Sequence, residues 1–216
     1  MNPDLQIKIL HEEAEFVVVE KPSGMLSVPG RGPEKADCVT ARIRALYPDC
    51  IEQPAPHRLD MDTSGILLVT LTAEAHRNLS RQFQERETKK RYIALLDGIL
   101  ERDEDSGTIE LPFRLDIDNR PHQIYDPEFG KMGISHWKKV GDENGQSRIE
   151  FVPVTGRTHQ LRLHSAHEKG FGIPIVGDPL YGNGTGPAEM RLHACELTFS
   201  HPTTGEQTTF YSEPPF

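Results

Sequence analysis

Cysteine is scarce in this chain: Cys38, Cys50 and Cys195 make 3, an odd number with no Cys-x-x-Cys pair among them. That spacing excludes a disulfide framework and a paired-cysteine zinc site, and a reducing compartment is expected. Long apolar runs are missing as well. The first residues carry no basic segment leading into an apolar stretch, and no later run approaches the roughly 20 residues of a membrane span, so a cytoplasmic, unexported protein is expected. Positive charge is in deficit, with 24 Lys and Arg against 33 Asp and Glu and a net charge of -9. A surface that is basic all over is thereby excluded, and any affinity for nucleic acid must come from a local basic face. No Gly-x-x-x-x-Gly-Lys-Ser/Thr and no strand-borne Gly-x-Gly-x-x-Gly occurs, and neither repeats nor low-complexity tracts are present. The glycines at 182, 184 and 186 sit amid turn residues and read as a mobile loop.

What is present reads as strand-rich and mixed. At 216 residues the chain is expected to form one catalytic domain over 1–216, or two closely packed halves. Residues 5–10 and 16–20 read as an antiparallel pair around an acidic turn, after which Lys21-Pro22-Ser23-Gly24 breaks the strand. The Pro/Gly-rich segment 27–33 is a loop, and Asp37 is placed to cap a short helix running to Leu46. The apolar run 65–71 predicts a buried strand, and Thr72 a cap for a helix over 73–85 that turns Ala75, Leu79 and Phe83 inward. Further strands are predicted at 91–96, 107–111, 134–140, 148–154 and 191–200, with a helix from about 158 to 170. Short turns and few helices point to an α+β fold around a mixed, largely antiparallel sheet.

Three groups of residues carry chemistry. In HRLDMDTSG, at 57–65, an arginine stands two residues before an aspartate and a turn-forming Thr-Ser-Gly follows. A carboxylate held beside a guanidinium stays ionised near neutral pH, where it is an acceptor, base or nucleophile; an isolated Arg-x-Asp is more often a surface ion pair. Arg77, Arg81, Arg86, Lys89, Lys90 and Arg91 outnumber Glu85 and Glu87, which reads equally well as a phosphate-contacting stripe or a solvated helix face. The segment 155–167 gathers Arg157, His159, Arg162, His164 and His167. The histidine spacing, with no carboxylate or thiolate partner, does not make a metal set, and no metal is expected.

Together these blocks resemble the signatures of the RluA-type pseudouridine synthases. HRLDxxTSG, the Lys-x-Tyr-x-Ala strand at 90–94, GRTHQLRLH at 156–164, and the blocks KPSGM at 21–25, GDPLYG at 177–182 and RLHA at 191–194 follow the family's order over most of the chain. The resemblance implies an enzyme that detaches uracil from its ribose in RNA, turns it and rejoins it through carbon. It implies Asp60 as the essential residue, Tyr92 as the aromatic stacked on the target base, and Arg162 as the partner of Asp60. Arg58 is implied to enter the space vacated by the base, with His57, Arg77, Arg81, Lys89, Lys90 and Arg157 on the RNA side and His57 free to shape the loop instead. Ser27 to Arg31, Asn119-Arg120-Pro121 and a start directly on the catalytic domain, with no S4 RNA-binding domain ahead, resemble a subgroup acting on both a transfer-RNA anticodon stem-loop and large-subunit ribosomal RNA. A monomer is expected.

Moving uracil from an N1 to a C5 linkage is redox-neutral and needs no energy input, so no cofactor is expected. Asp60 has three open routes: attack at C1′ of the ribose, attack at C6 of the ring, or removal of a ribose proton to give a glycal. A stacked uridine must also be extruded at a cost of a few kcal/mol. Two other classes fit some of these residues. A retaining glycosidase would need a second carboxyl about 5–5.5 Å away, for which Asp62 is the neighbour in sequence, and would release free base or sugar. A noncatalytic RNA-binding module would use the arginines and Tyr92 and leave Asp60 incidental.

Overall fold

The structure, a computed structural model, describes residues 6–186 and 188–216. In chain order its elements are β1 (Lys8–Glu12), β2 (Phe16–Lys21), α1 (Val39–Leu46), β3 (Ser64–Thr70), α2 (Ala73–Glu85), β4 (Lys89–Leu95), β5 (Ser106–Leu115), β6 (Gln123–Tyr125), β7 (Lys131–Glu143), β8 (Gln146–Pro153), α3 (Gln160–Ala166), β9 (Leu192–Ser200) and β10 (Gln207–Tyr211). The fold is α+β, as the pattern of short strands predicts. The chain divides into two compact units, one of residues 1–90 and 194–215, the other of 91–193 with 216.

In the first unit the strands run β1-β2-β3-β9, with β10 alongside β9. β2 and β3 pair antiparallel from Phe16 opposite Thr70 to Lys21 opposite Gly65. Their continuous apolar sequences match burial on both faces: every residue of β3 is buried. α2 covers one face by setting Ala75 and Leu79 against Phe16, Val18, Ile66, Leu68, Leu197 and Phe199, with Phe83 partly buried at the edge. Thr72 caps this helix as expected, its hydroxyl accepting from Ala75 N at 3.3 Å. Gly65 fixes the exit of the HRLDMDTSG turn: at φ +111° a Cβ there would lie 2.3 Å from the Ala194 carbonyl oxygen.

In the second unit the order is β4-β8-β7-β5-β6. Inward side chains of these strands, among them Ala94, Ile109, Leu111, Phe113, Trp137, Ile149 and Phe151, form a core with Leu161 and Leu163 of α3. The predicted polar turn joins β7 to β8 through Asn144 and Gly145, both at positive φ (52° and 78°), the conformation a tight hairpin requires.

Several expectations are corrected. The first strand begins at Lys8 rather than Leu5, and Leu5 lies outside the described residues. The cap of α1 is Cys38, whose sulfur accepts from Ala41 N at 3.4 Å. Asp37 instead grips Arg42 through Nε at 2.8 Å and Nη2 at 2.7 Å, an ion pair laid along the first turns. α3 is shorter than the predicted 158–170. It opens on His159 in the left-handed region (φ 56°), and it closes where the chain turns back at Gly170, whose absent Cβ would lie 1.9 Å from the His164 carbonyl oxygen. β6 and β10 carry no expectation: one is a three-residue strand and the other a half-exposed edge.

Candidate active site

Asp60 lies in the first unit, on the loop that joins buried Pro54 to β3. Leu59 is 5% exposed and Asp62 5% exposed, whereas Arg58 and Met61 face solvent and Asp60 is half-buried. The loop is therefore anchored at Leu59 and Asp62, and Asp60 and Met61 stand between the two anchors. Its main chain is held from three sides. Ser27 Oγ donates to Leu59 O (2.8 Å) and accepts from Leu59 N (3.0 Å); Ser23 Oγ donates to Asp62 O (2.5 Å); Gly24 N donates to Met61 O (3.0 Å).

The centre of this clamp is Lys21, fully buried at the end of β2. Its Nζ donates to the carbonyls of Pro22 (2.9 Å), Met25 (2.7 Å) and Met61 (2.8 Å), one acceptor for each proton of an ammonium. Burial pushes its pKa down to about 7, against an upward pull from Asp62 and, less strongly, Asp60. The sequence reading has Lys21 ending a strand and opening the KPSGM block but gives it no role in the site; a lysine closing the apolar run FVVVE directly before a proline was the available signal.

His57 shapes the same loop. Its Nε2 accepts from Leu68 N of β3 at 2.9 Å, and its ring stacks on Phe83 of α2 at 4.3 Å and 15°. Burial, with a smaller push from Lys90, lowers its pKa to about 3, so it stays neutral with Nε2 as an acceptor. Lys90 Nζ stands 6.0 Å from the Phe83 ring centre, and burial followed by Arg86 lowers its pKa. His57, Phe83 and Lys90 thus connect α2 to the loop, and the ring placed on the RNA side by the sequence is committed to the protein's own main chain. The basic stripe is also less cationic than its count implies. Arg81 meets Glu85 at 2.8 Å and Glu87 at 3.4 Å, and Arg91 meets Glu150 at 3.0 Å, while Arg77 and Lys89 are exposed.

Tyr92 and Arg162 belong to the second unit. Tyr92 stands in β4 opposite Phe151 of β8 and is half-buried against that unit's core. Arg162 is only 2% exposed. The carboxylate that grips it is Asp178, which accepts from Nε at 2.8 Å and Nη2 at 2.6 Å. The sequence reading does not name Asp178 as a partner of Arg162, although Asp178 stands in the recognised GDPLYG block. Arg157 is exposed, and its backbone N–H donates to Gln160 Oε1 at 3.1 Å. His159 meets the Tyr181 hydroxyl through Nδ1 at 2.9 Å. His164 is fully buried, and burial pushes its pKa down to about 4, against a smaller upward pull from the Gly133 main chain.

Among the described residues, Glu13, Glu15 and His201 gather closely enough to hold a cation. His201 Nδ1, however, accepts from Thr203 N and Thr204 N, both at 3.2 Å. That puts the ring proton on Nε2, 3.1 Å from Glu13 Oε1, so His201 turns a proton rather than a lone pair toward the carboxylates.

Similarities to known proteins converge on one family. Residues 15–167 match the model described as RNA pseudouridylate synthase. The chain is 43% identical over 221 residues to the dual-specificity RNA pseudouridine synthase RluA of Haemophilus ducreyi, covering 100% of this chain and 96% of that one. To its Escherichia coli K12 counterpart it is 42% identical over 206 residues, covering 94% and 90%. Human RNA pseudouridylate synthase domain containing 1 superposes with a TM-score of 0.76 at 29% identity, covering 100% of this chain and 87% of that one. The domain containing 4 protein, at 20% identity and a TM-score of 0.75, shares the fold.

Proposed function

The chain belongs to the RNA pseudouridylate synthase family, and from that premise we propose that it isomerises uridines in stem-loops of transfer RNA and 23S ribosomal RNA, with Asp60 as the reacting carboxylate. The observation that carries the assignment of Asp60 is its setting: a half-buried carboxylate on a loop whose neighbours Leu59, Met61 and Asp62 are each hydrogen-bonded through the main chain. A carboxylate held in this way loses little entropy on reaching its target.

The other roles follow from the chemistry. Arg58, exposed beside the anchored Leu59, occupies the stack left by the extruded uridine, which offsets part of the unstacking cost. Tyr92 covers the base, and Arg162 contributes fixed positive charge during turnover. His57 holds the loop rather than the RNA. Exposed Arg77, Lys89 and Arg157 are the phosphate contacts, so the footprint is compact and a short stem-loop serves nearly as well as the whole RNA. The protein acts as a monomer, as one catalytic domain, and needs no cofactor because bond breaking and rejoining balance without redox change.

The test is Asp60→Asn on isolated stem-loops of both RNA kinds. The variant should fold and bind RNA but form no pseudouridine, since an amide keeps the shape and loses the nucleophile or base. Near-normal pseudouridine formation would refute the assignment. Release of free base with loss of RNA mass by the wild type would favour a glycosidase instead.

A further inference from the structure

We propose that Asp178 and Tyr181 are positioning residues for turnover, fixing the Arg162 guanidinium by its edge and by its face. The inference rests on the reading that Arg162 takes part in the reaction.

The edge is set first. Arg162 and Asp178 are buried together, with side chains 2% and 0% exposed. A buried ion pair is weak evidence for stability, because its desolvation cost offsets most of its attraction; what it supplies here is direction. Asp178 Oδ2 accepts Arg162 Nε at 2.8 Å, and Oδ1 accepts Nη2 at 2.6 Å. This planar two-point contact fixes the guanidinium in its own plane and uses two of its five N–H groups.

The carboxylate itself has no freedom to pivot. Its Oδ1 also accepts Leu180 N at 2.8 Å and Tyr181 N at 3.1 Å, while its carbonyl accepts Gly182 N and Gly184 N, both at 3.1 Å. The loop is tight enough to require glycine: a Cβ on Gly184 would lie 2.2 Å from the Gly177 carbonyl oxygen.

The face is set by Tyr181, whose ring centre is 5.3 Å from the guanidinium carbon. The ring is tethered at its far end, where the hydroxyl accepts Gln123 N at 2.7 Å and meets His159 Nδ1 at 2.9 Å. The loop thus supplies both a carboxylate in the plane of the guanidinium and an aromatic surface beneath it. The phenol oxygen serves the tether, and the ring serves Arg162.

That division of labour gives the test. Asp178→Asn, Tyr181→Leu, Tyr181→Phe and Arg162→Ala are made in the full chain, and kcat and KM are measured on one RNA stem-loop alongside thermal unfolding. Asp178→Asn is expected to lower kcat about 30-fold or more with KM within about threefold, because a misaligned guanidinium costs the reaction and not RNA capture. Tyr181→Leu should lower kcat about tenfold, whereas Tyr181→Phe should retain most of kcat and lose stability through the unpaired Gln123 N–H. Folded Asp178→Asn with wild-type kcat, a loss confined to KM, or equal kcat for the two Tyr181 variants would overturn the inference; if Asp178→Asn does not fold, the Tyr181 pair decides. Wild-type turnover by Arg162→Ala would sink the reading beneath it, while an inactive Arg162→Ala beside an active Asp178→Asn would sink this inference alone.

Discussion

Two neutral histidines, one half-buried and one fully buried, predict an acid-sensitive fold. His57 has its pKa lowered to about 3 and His164 to about 4, both by burial first, from an unfolded value of about 6.5. Between those values the unfolded chain binds protons that the folded chain refuses. Stability is therefore fully present above pH 6.5 and falls as pH drops toward the folded values. At pH 5 each histidine costs about 2 kcal/mol relative to pH 7.5, about 4 kcal/mol together. Lys21, lowered to about 7, adds roughly 1 kcal/mol of the same sign over this range, and His76, also lowered by burial, acts in the same direction. Asp116, Asp126 and Asp142, lowered from 3.8, release their stabilisation only below that window. Since a domain is stable by only about 5–15 kcal/mol, the effect is large. Urea unfolding at pH 7.5, 6.5, 5.5 and 5.0, followed by fluorescence of Trp137, the single tryptophan, should show the midpoint falling steadily. His164→Leu should remove about half of the slope contributed by the two rings. A midpoint that does not move between pH 7.5 and 5, or a variant that keeps the full slope, would refute the reasoning.

Three further outcomes can be checked on RNA. Lys21→Met strips the donors from three carbonyls, and should lower kcat about tenfold or more with stem-loop affinity kept within about threefold, as loosening one anchor misplaces the carboxylate; unchanged kcat in a folded variant would show that the clamp is irrelevant to Asp60. Arg58→Ala should lose more activity on a folded stem-loop than on an unstructured uridine-containing strand, and equal losses would deny it a part in extrusion. Arg77→Glu and Lys89→Glu should each reduce the slope of log affinity against log salt by about 1, whereas Arg81→Glu should change it less because Arg81 already meets Glu85 and Glu87; the largest change at Arg81 would invert the map of phosphate contacts.

What could be read from the sequence was what is local. β2, β3 and α2 follow from continuous apolar runs, a Thr cap and four-residue spacing, and each lies within a residue or so of its predicted place. The limits of α3 do not follow, because they are set by a left-handed residue at His159 and a backbone closure at Gly170 that no periodicity encodes. The cap of α1 fails for a related reason: Asp37 is the better capping residue by type, but Arg42 claims its carboxylate and leaves Cys38 to accept from Ala41.

The residues proposed to carry the chemistry divide along the same line. Asp60, Tyr92 and Arg162 stand in blocks whose order marks the family, so the sequence names them. Lys21 and Asp178 stand in such blocks too, yet their work is invisible there, because it consists of bonds to main-chain atoms and to a side chain 16 positions away. Both are ionisable groups carried into the interior, where desolvation opposes charge; Lys21 donates to the carbonyls of Pro22, Met25 and Met61, and Asp178 accepts from Arg162, Leu180 and Tyr181. A buried charge satisfied in that way costs stability relative to an apolar side chain of the same size. Its use is to leave a neighbouring group one orientation, here the loop that carries Asp60 and the guanidinium of Arg162. The net charge of -9 fits the proposed reading, in which positioning is built into the protein and RNA is gripped at exposed cations such as Arg77, Lys89 and Arg157.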